Sequence, residues 1–248
     1  MRLLLINPNT SADMTERIAA EARRHCVAGT DIVPVTAAFG CEVIASRASY
    51  AIAAHAALDA YAKHAVGIDA VVLACFGDPG LQALREIASV PVIGLLESAV
   101  AGAAQSHRTF AIITSGRAWV PMLEEQVRLS TYAAGFRGVF AIDATGLAVS
   151  RDHASALPQL QRAVDSAVSA DSQAIVLGGS SMAGLGSRLS SPVEMIDPLA
   201  TAVTLAQQAN RIGPSCPRPA LLSSGLSPAL SRILATRGDL RKKHRRSV

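Results

Sequence analysis

Two stretches of this chain have a look-alike about a hundred residues further on. LLLIN at residues 3–7 resembles FAIIT at 110–114, and AVVLAC at 70–75 resembles AIVLGG at 174–179. Each copy is a continuous apolar run, too short for a helix core and with no polar face. Such a strand must be covered on both sides, the condition of a parallel sheet between helices. Further runs of this kind place strands at 2–6, 31–36, 70–75, 91–94, 109–114, 137–142, 173–178 and 193–196. Ala-rich stretches between them predict helices at 11–25, 50–65, 79–88, 97–106, 118–133, 153–168, 181–189 and 198–211. Thr10 and Ser11 are positioned to cap the first helix, and Asp78-Pro79 reads as a cap followed by a first-turn proline. The alternation predicts an α/β protein of two pseudo-symmetric parallel-sheet domains with a cleft between them. The first domain is expected to hold residues 1–97 and 200–225, and the second 98–199.

The charge is concentrated at one end. Six of the 23 basic residues and one of the 19 acidic residues fall in 237–248, leaving 17 and 18 for the rest of the chain. The body therefore has no basic bias, 237–248 reads as a solvated basic tail, and neither nucleic acid nor a membrane is expected as a partner. No apolar run approaches the roughly 18–20 residues of a membrane span. MRLLLINPNT is broken by Asn7 and Pro8 too early for a signal peptide, so a cytoplasmic location is expected. The four cysteines, Cys26, Cys41, Cys75 and Cys216, lie far apart without CxxC, which argues for free thiols and against a metal centre. A P-loop, a G-x-G-x-x-G turn and H-E-x-x-H are all missing from the sequence.

In parallel α/β sheets, ligands sit beyond the carboxyl ends of the strands. Those ends carry Asn7-Pro8-Asn9-Thr10, Cys75-Phe76-Gly77-Asp78, Thr114-Ser115-Gly116 and Gly179-Ser180-Ser181. Cys75 has the strongest chemical case. A thiol between a strand end and a helix start is expected to be acidified below the ordinary value of about 8.5. Backbone amides after Cys75 and after Gly179 form two nests for a carboxylate, imide or enolate oxygen. Asn9, Phe76, Gly77, Thr114, Ser115, Gly179, Ser180 and Ser181 are the expected substrate contacts. Trp119 is either a wall of the cleft or a packing residue. Glu97 reads as a helix-start residue, Cys41 as incidental, and His55 and His64 as packed or surface groups.

INPNTS at 6–11 and ACFGDPGL at 74–81 resemble the hydantoin and allantoin racemases of the aspartate/glutamate racemase superfamily. VPVIGLLESA at 90–99 and MIDPLATAV at 195–203 fit the same family, so the resemblance spans roughly 1–212. It implies an interdomain site, no cofactor, a small-molecule substrate, and racemisation by two cysteines on opposite faces of a carbon beside a carbonyl. Here the first position is Cys75, while the second, typically the cysteine of LGCAGM, is Gly179 in LGGSSM. The repeat places Cys75 and Gly179 at equivalent positions by an independent route. Three functions follow: a cofactor-independent racemase or epimerase of a hydantoin-like substrate, a one-cysteine decarboxylase or isomerase of the same superfamily, or a non-catalytic small-molecule binder. The Ala-rich helix 50–65 also permits a homo-oligomer.

Overall fold

The computed structural model describes residues 1–209 and 219–236. The basic tail 237–248, Cys216 and the end of the expected helix 198–211 lie outside the described residues. Eight strands form among the described residues: β1 Arg2–Asn7, β2 Asp31–Thr36, β3 Ala70–Leu73, β4 Val92–Gly94, β5 Phe110–Ser115, β6 Phe136–Ile142, β7 Ala174–Gly178 and β8 Glu194–Ile196. They build two four-stranded sheets, ordered β2-β1-β3-β4 and β6-β5-β7-β8, and every pairing is parallel. The second sheet repeats the first strand for strand, so β3 and β7, which precede Cys75 and Gly179, are topological counterparts.

Helices α1 Ala12–Arg24, α2 Arg47–His64, α3 Leu81–Ile87, α4 Leu95–Ala103, α5 Val120–Arg128, α6 Gly146–Arg151, α7 His153–Ser169, α8 Pro198–Gln208 and α9 Pro228–Ala235 complete the described fold. Ser11 caps α1, as expected, accepting a hydrogen bond from the Met14 amide. Two differences from the sequence reading bear on the site. The stretch 181–189 is not a helix but two single turns, Ser180–Met182 and Gly186–Arg188. Glycines at 184 and 186 interrupt it, so no helix points its N-terminus at residue 179. Helix α3 starts at Leu81, after the left-handed Gly80, and not at Pro79.

Strand periodicity sorts the core into three layers. Leu4, Ile6, Val71 and Leu73 face outward from the first sheet toward α2 and α3. Ala111, Ile113, Ile175 and Leu177 face outward from the second toward α7. The alternate residues, Leu3, Leu5 and Val72 of one sheet and Phe110, Ile112 and Val176 of the other, join a single central cluster. Helices α4 and α8 pack on each other within it and touch both sheets. The boundary expected after residue 97 therefore falls inside α4, a helix that serves both halves.

Candidate active site

The segment after β3 is a tight hairpin of backbone carrying the thiol. The Asp78 amide donates to the Cys75 carbonyl at 3.0 Å, and Leu81 N donates to the Asp78 carbonyl at 3.2 Å. Gly77 has φ +126°, and a β-carbon there would lie 2.6 Å from Cζ3 of Trp119, so the indole ring lies directly against the backbone. Tyr50 Oη donates to the Gly77 carbonyl at 2.7 Å. Asp78, itself left-handed at φ 53°, is 7% exposed. Its carboxylate does not cap α3. It accepts from Leu96 N at 3.1 Å and Glu97 N at 2.8 Å, the first turn of α4.

The matching segment after β7 is built from small residues. Gly179 has φ +148°, a conformation L side chains rarely adopt. A β-carbon on it would stand 3.0 Å from Met182 Cε, 3.8 Å from Ser181 Oγ and 3.9 Å from Ser115 Oγ. From the other side, a β-carbon on Gly146 would meet the same two hydroxyls at 3.4 and 3.6 Å. Ser115 and Ser181 thus converge on the space that a side chain at 179 would occupy. Ser115 is 6% exposed, yet no described residue hydrogen bonds its hydroxyl. The hydroxyls of Thr114, Ser180 and Ser181 are likewise without a partner among the described residues.

Both segments open on one cavity of about 290 Å³. Cys75, Phe76 and Asn9 line it from the first sheet, and Thr114, Ser115, Gly179, Ser180 and Ser181 from the second. Eight of the nine expected residues are thereby brought together. The exception is Gly77, which is covered by Trp119; the indole itself lines the cavity. Asn9 has two tasks. Its Oδ1 accepts from Asn7 Nδ2 at 2.7 Å and Ser11 N at 2.9 Å, shaping the turn, while its Nδ2 points to the weak acceptor Met14 Sδ at 3.2 Å. Among the described residues nothing accepts from the amides of Phe76, Ser180 or Ser181.

Missed in the sequence were Val43, Ile44 and Ala45, which roof the cavity, and Thr145, Gly146 and Leu147 after β6. Both follow edge strands, and only the internal repeat, which aligns β2 with β6, signals them as a pair. Cys41 is not among the lining residues; its carbonyl accepts from Thr10 N and secures the NPNT turn. His55 packs against the Phe39 ring, with centroids 4.9 Å apart.

The lining carries two ionisable side chains, Cys75 and Arg117, and Arg117 is paired with Asp143 at 2.5 and 3.0 Å. Burial and then the Asp78 charge push the Cys75 thiol up from its ordinary value. This reverses the expected acidification. The thiol is 7% exposed, and α3 begins only at Leu81 and not directly after it. Among the described residues no group of three His, Cys, Asp or Glu side chains is placed to hold a metal ion, and no helix is long and apolar enough to cross a membrane.

The family model for Asp/Glu/hydantoin racemase matches residues 3–206. The chain belongs to that family. A hydantoin racemase of Rhizobium meliloti is 36% identical over 213 residues, covering 84% of this chain and 88% of the relative. An allantoin racemase from Pseudomonas fluorescens superposes with a TM-score of 0.79 at 30% identity, covering 98% of this chain and 99% of the other. An allantoin racemase from Klebsiella pneumoniae gives 0.78 at 34% identity over 84% and 86% of the two chains. The racemase fold of these neighbours accounts for the paired parallel sheets.

Proposed function

We propose that this protein is a cofactor-independent racemase-type isomerase that moves a proton at a carbon beside a carbonyl in a hydantoin-like ring, with Cys75 as its acid–base group. The observation that carries this is the meeting of Cys75 and the unpartnered donors of the opposite wall in one cavity without other free charge. The Cys75 thiolate takes the proton, the C–H electron pair moves into the carbonyl as an enolate, and a proton relayed from water through Ser180 or Ser181 to the opposite face inverts the carbon, whereas return by the same thiol restores the starting enantiomer. Enolate oxygen is a fitting ligand for the Phe76, Ser180 and Ser181 amides and for the hydroxyls of Ser115 and Ser181, since such donors favour charge that develops during reaction. Asn9 Nδ2 offers a further donor to a ring carbonyl. The relatives named for hydantoin and allantoin support a cyclic ureide as the substrate.

A second reading is favoured by Gly179. With no acid at that position, the return of a proton is confined to the Cys75 side, and a thiol held protonated by burial is ready to donate. That suits a one-cysteine decarboxylase or isomerase which protonates an enolate once. One experiment separates the two. Each enantiomer of a 5-substituted hydantoin is incubated with enzyme in D2O, and deuterium at the reacting carbon is followed by NMR together with optical rotation. Racemisation at the rate of exchange supports the first reading. Exchange with retained rotation supports one-sided transfer by Cys75. If Cys75→Ser leaves the exchange undiminished, both fail.

A further inference from the structure

Asp78 is a buried carboxylate next to the thiol, outside the cavity lining and with no role in the chemistry above. Its surroundings are poor in compensation. Glu97 stands on the same first turn of α4, and the guanidinium of Arg85 on α3 is spent on Glu97 Oε2 at 2.5 Å and on the Val92 carbonyl at 3.1 Å. Tyr50 on α2 faces it from the other side, with a hydroxyl pushed up to about 12 by burial and then by Asp78 and Cys75. Across the cavity Arg117 is taken by Asp143. What holds the Asp78 carboxylate is the pair of α4 amides, Leu96 N and Glu97 N. The approach is close: a β-carbon on Gly94 would lie 2.3 Å from Asp78 Oδ2.

The same residue defines the thiol-bearing turn. Its amide holds the Cys75 carbonyl, its carbonyl holds Leu81 N, and its left-handed backbone sets the direction of the chain between them. Asp78 also lines a groove of about 620 Å³ between α3, α4 and α5, separate from the cavity that Cys75 lines. A negative charge fixed beside a buried thiol disfavours the thiolate, because there is little solvent to screen the repulsion.

We infer that Asp78 is a positioning residue of the Cys75 site: clamped on the first amides of α4, it fixes the loop that carries the thiol and keeps that thiol in its protonated, proton-donating form. This rests on the assignment of Cys75 as the acid–base group, but its test does not. Alkylation of Cys75 by iodoacetamide, located by peptide mass mapping, is measured from pH 8 to 10, where the Asp78 carboxyl is ionised, in wild type and in Asp78→Asn. Asparagine removes the charge and keeps one of the two oxygens that accept from the α4 amides, its Nδ2 meeting the other amide. The expected result is a Cys75 profile moved to lower pH by a unit or more, about a tenfold faster reaction across that range, with Cys26 and Cys41 unmoved. A purely structural role predicts altered melting with the Cys75 profile unchanged, and that result overturns the inference. If Asp78→Asn does not fold, amide exchange in the wild type decides. Protected Leu96 and Glu97 amides support the clamp, and exchange at the rate of an open turn refutes it. Loss of turnover in Cys75→Ser bears on the catalytic assignment alone.

Discussion

Replacing Gly179 with cysteine puts a thiol where the other half of the molecule has Cys75, and the geometry sets both its cost and its gain. The backbone at 179 has φ +148°, so any β-carbon is strained by about 1–3 kcal/mol. At about 2–4 °C per kcal/mol for a chain of this size, melting falls by about 2–12 °C. Sterically the obstacle is modest. The contact at 3.0 Å is with Met182 Cε, the free end of a flexible side chain, and the next atoms are the Ser181 and Ser115 hydroxyls at 3.8 and 3.9 Å. Gly179→Ala bears the same strain without a thiol and serves as the reference. A placed acid or base contributes about 10²–10⁴-fold, so inversion of a 5-substituted hydantoin, followed by circular dichroism, is expected to rise by that factor over Gly179→Ala. Hydrogen exchange from the Cys75 face should stay within a fewfold. If Gly179→Cys folds, binds the hydantoin and shows no gain in inversion over Gly179→Ala, the two walls do not address opposite faces of one carbon, and the symmetric-site argument is wrong.

Asp78 has its carboxyl raised by burial from 3.8 to about 7 in the folded chain. The protonated form is therefore favoured by folding, and the stability from this group is full below pH 3.8 and lost as the pH rises through about 7. Thermal melts across that window should show a downward slope that Asp78→Asn removes. Ser115→Ala together with Ser181→Ala should lower kcat/KM by about 10²-fold or more through loss of oxyanion donors while melting shifts little; unchanged kinetics would remove the pair from the site. Gly77→Ala places a methyl 2.6 Å from the indole of Trp119, so it should displace that ring and change the emission of the sole tryptophan. Leu123→Ala in the central core should cost about 2–5 kcal/mol, read by urea denaturation.

Much of the fold was legible because buried parallel strands leave an unmistakable trace: Leu3–Ile6 and Phe110–Ile113 are apolar without interruption, since helices cover both their faces. The repeat then located Gly179 as the counterpart of Cys75 without any geometry. Illegible were properties set by distant parts of the chain. Asp78 next to Pro79 has the form of a local cap, yet its carboxylate serves α4, which starts at Leu95; no spacing rule connects those residues. The direction of the Cys75 shift followed from the same gap. The sequence suggested an adjacent helix start, whereas the folded turn buries the thiol and leaves α3 to begin at Leu81. Val43–Ala45 and Thr145–Leu147 look like any loop, and only the closure of the two halves makes them walls.

The helix pair α4 and α8, shared between the sheets, has a consequence for how this molecule comes apart. Leu3 and Leu5 on one side and Phe110 and Ile112 on the other bury against the same cluster, so neither half has a complete interior of its own. Arg17 Nη1 to the Ser150 carbonyl and Arg47 to Glu125, each at 2.5 Å, add ties across the halves. Although the strand order reads as one unit duplicated, the two units are obligate partners, and a fragment ending between them would expose the face its twin should cover. Chemical denaturation should then pass through a single transition, with no surviving half. The cavity walls are thereby lost together or kept together, and the spacing between Cys75 and residue 179 is maintained by the interior of the protein and not by the ligand.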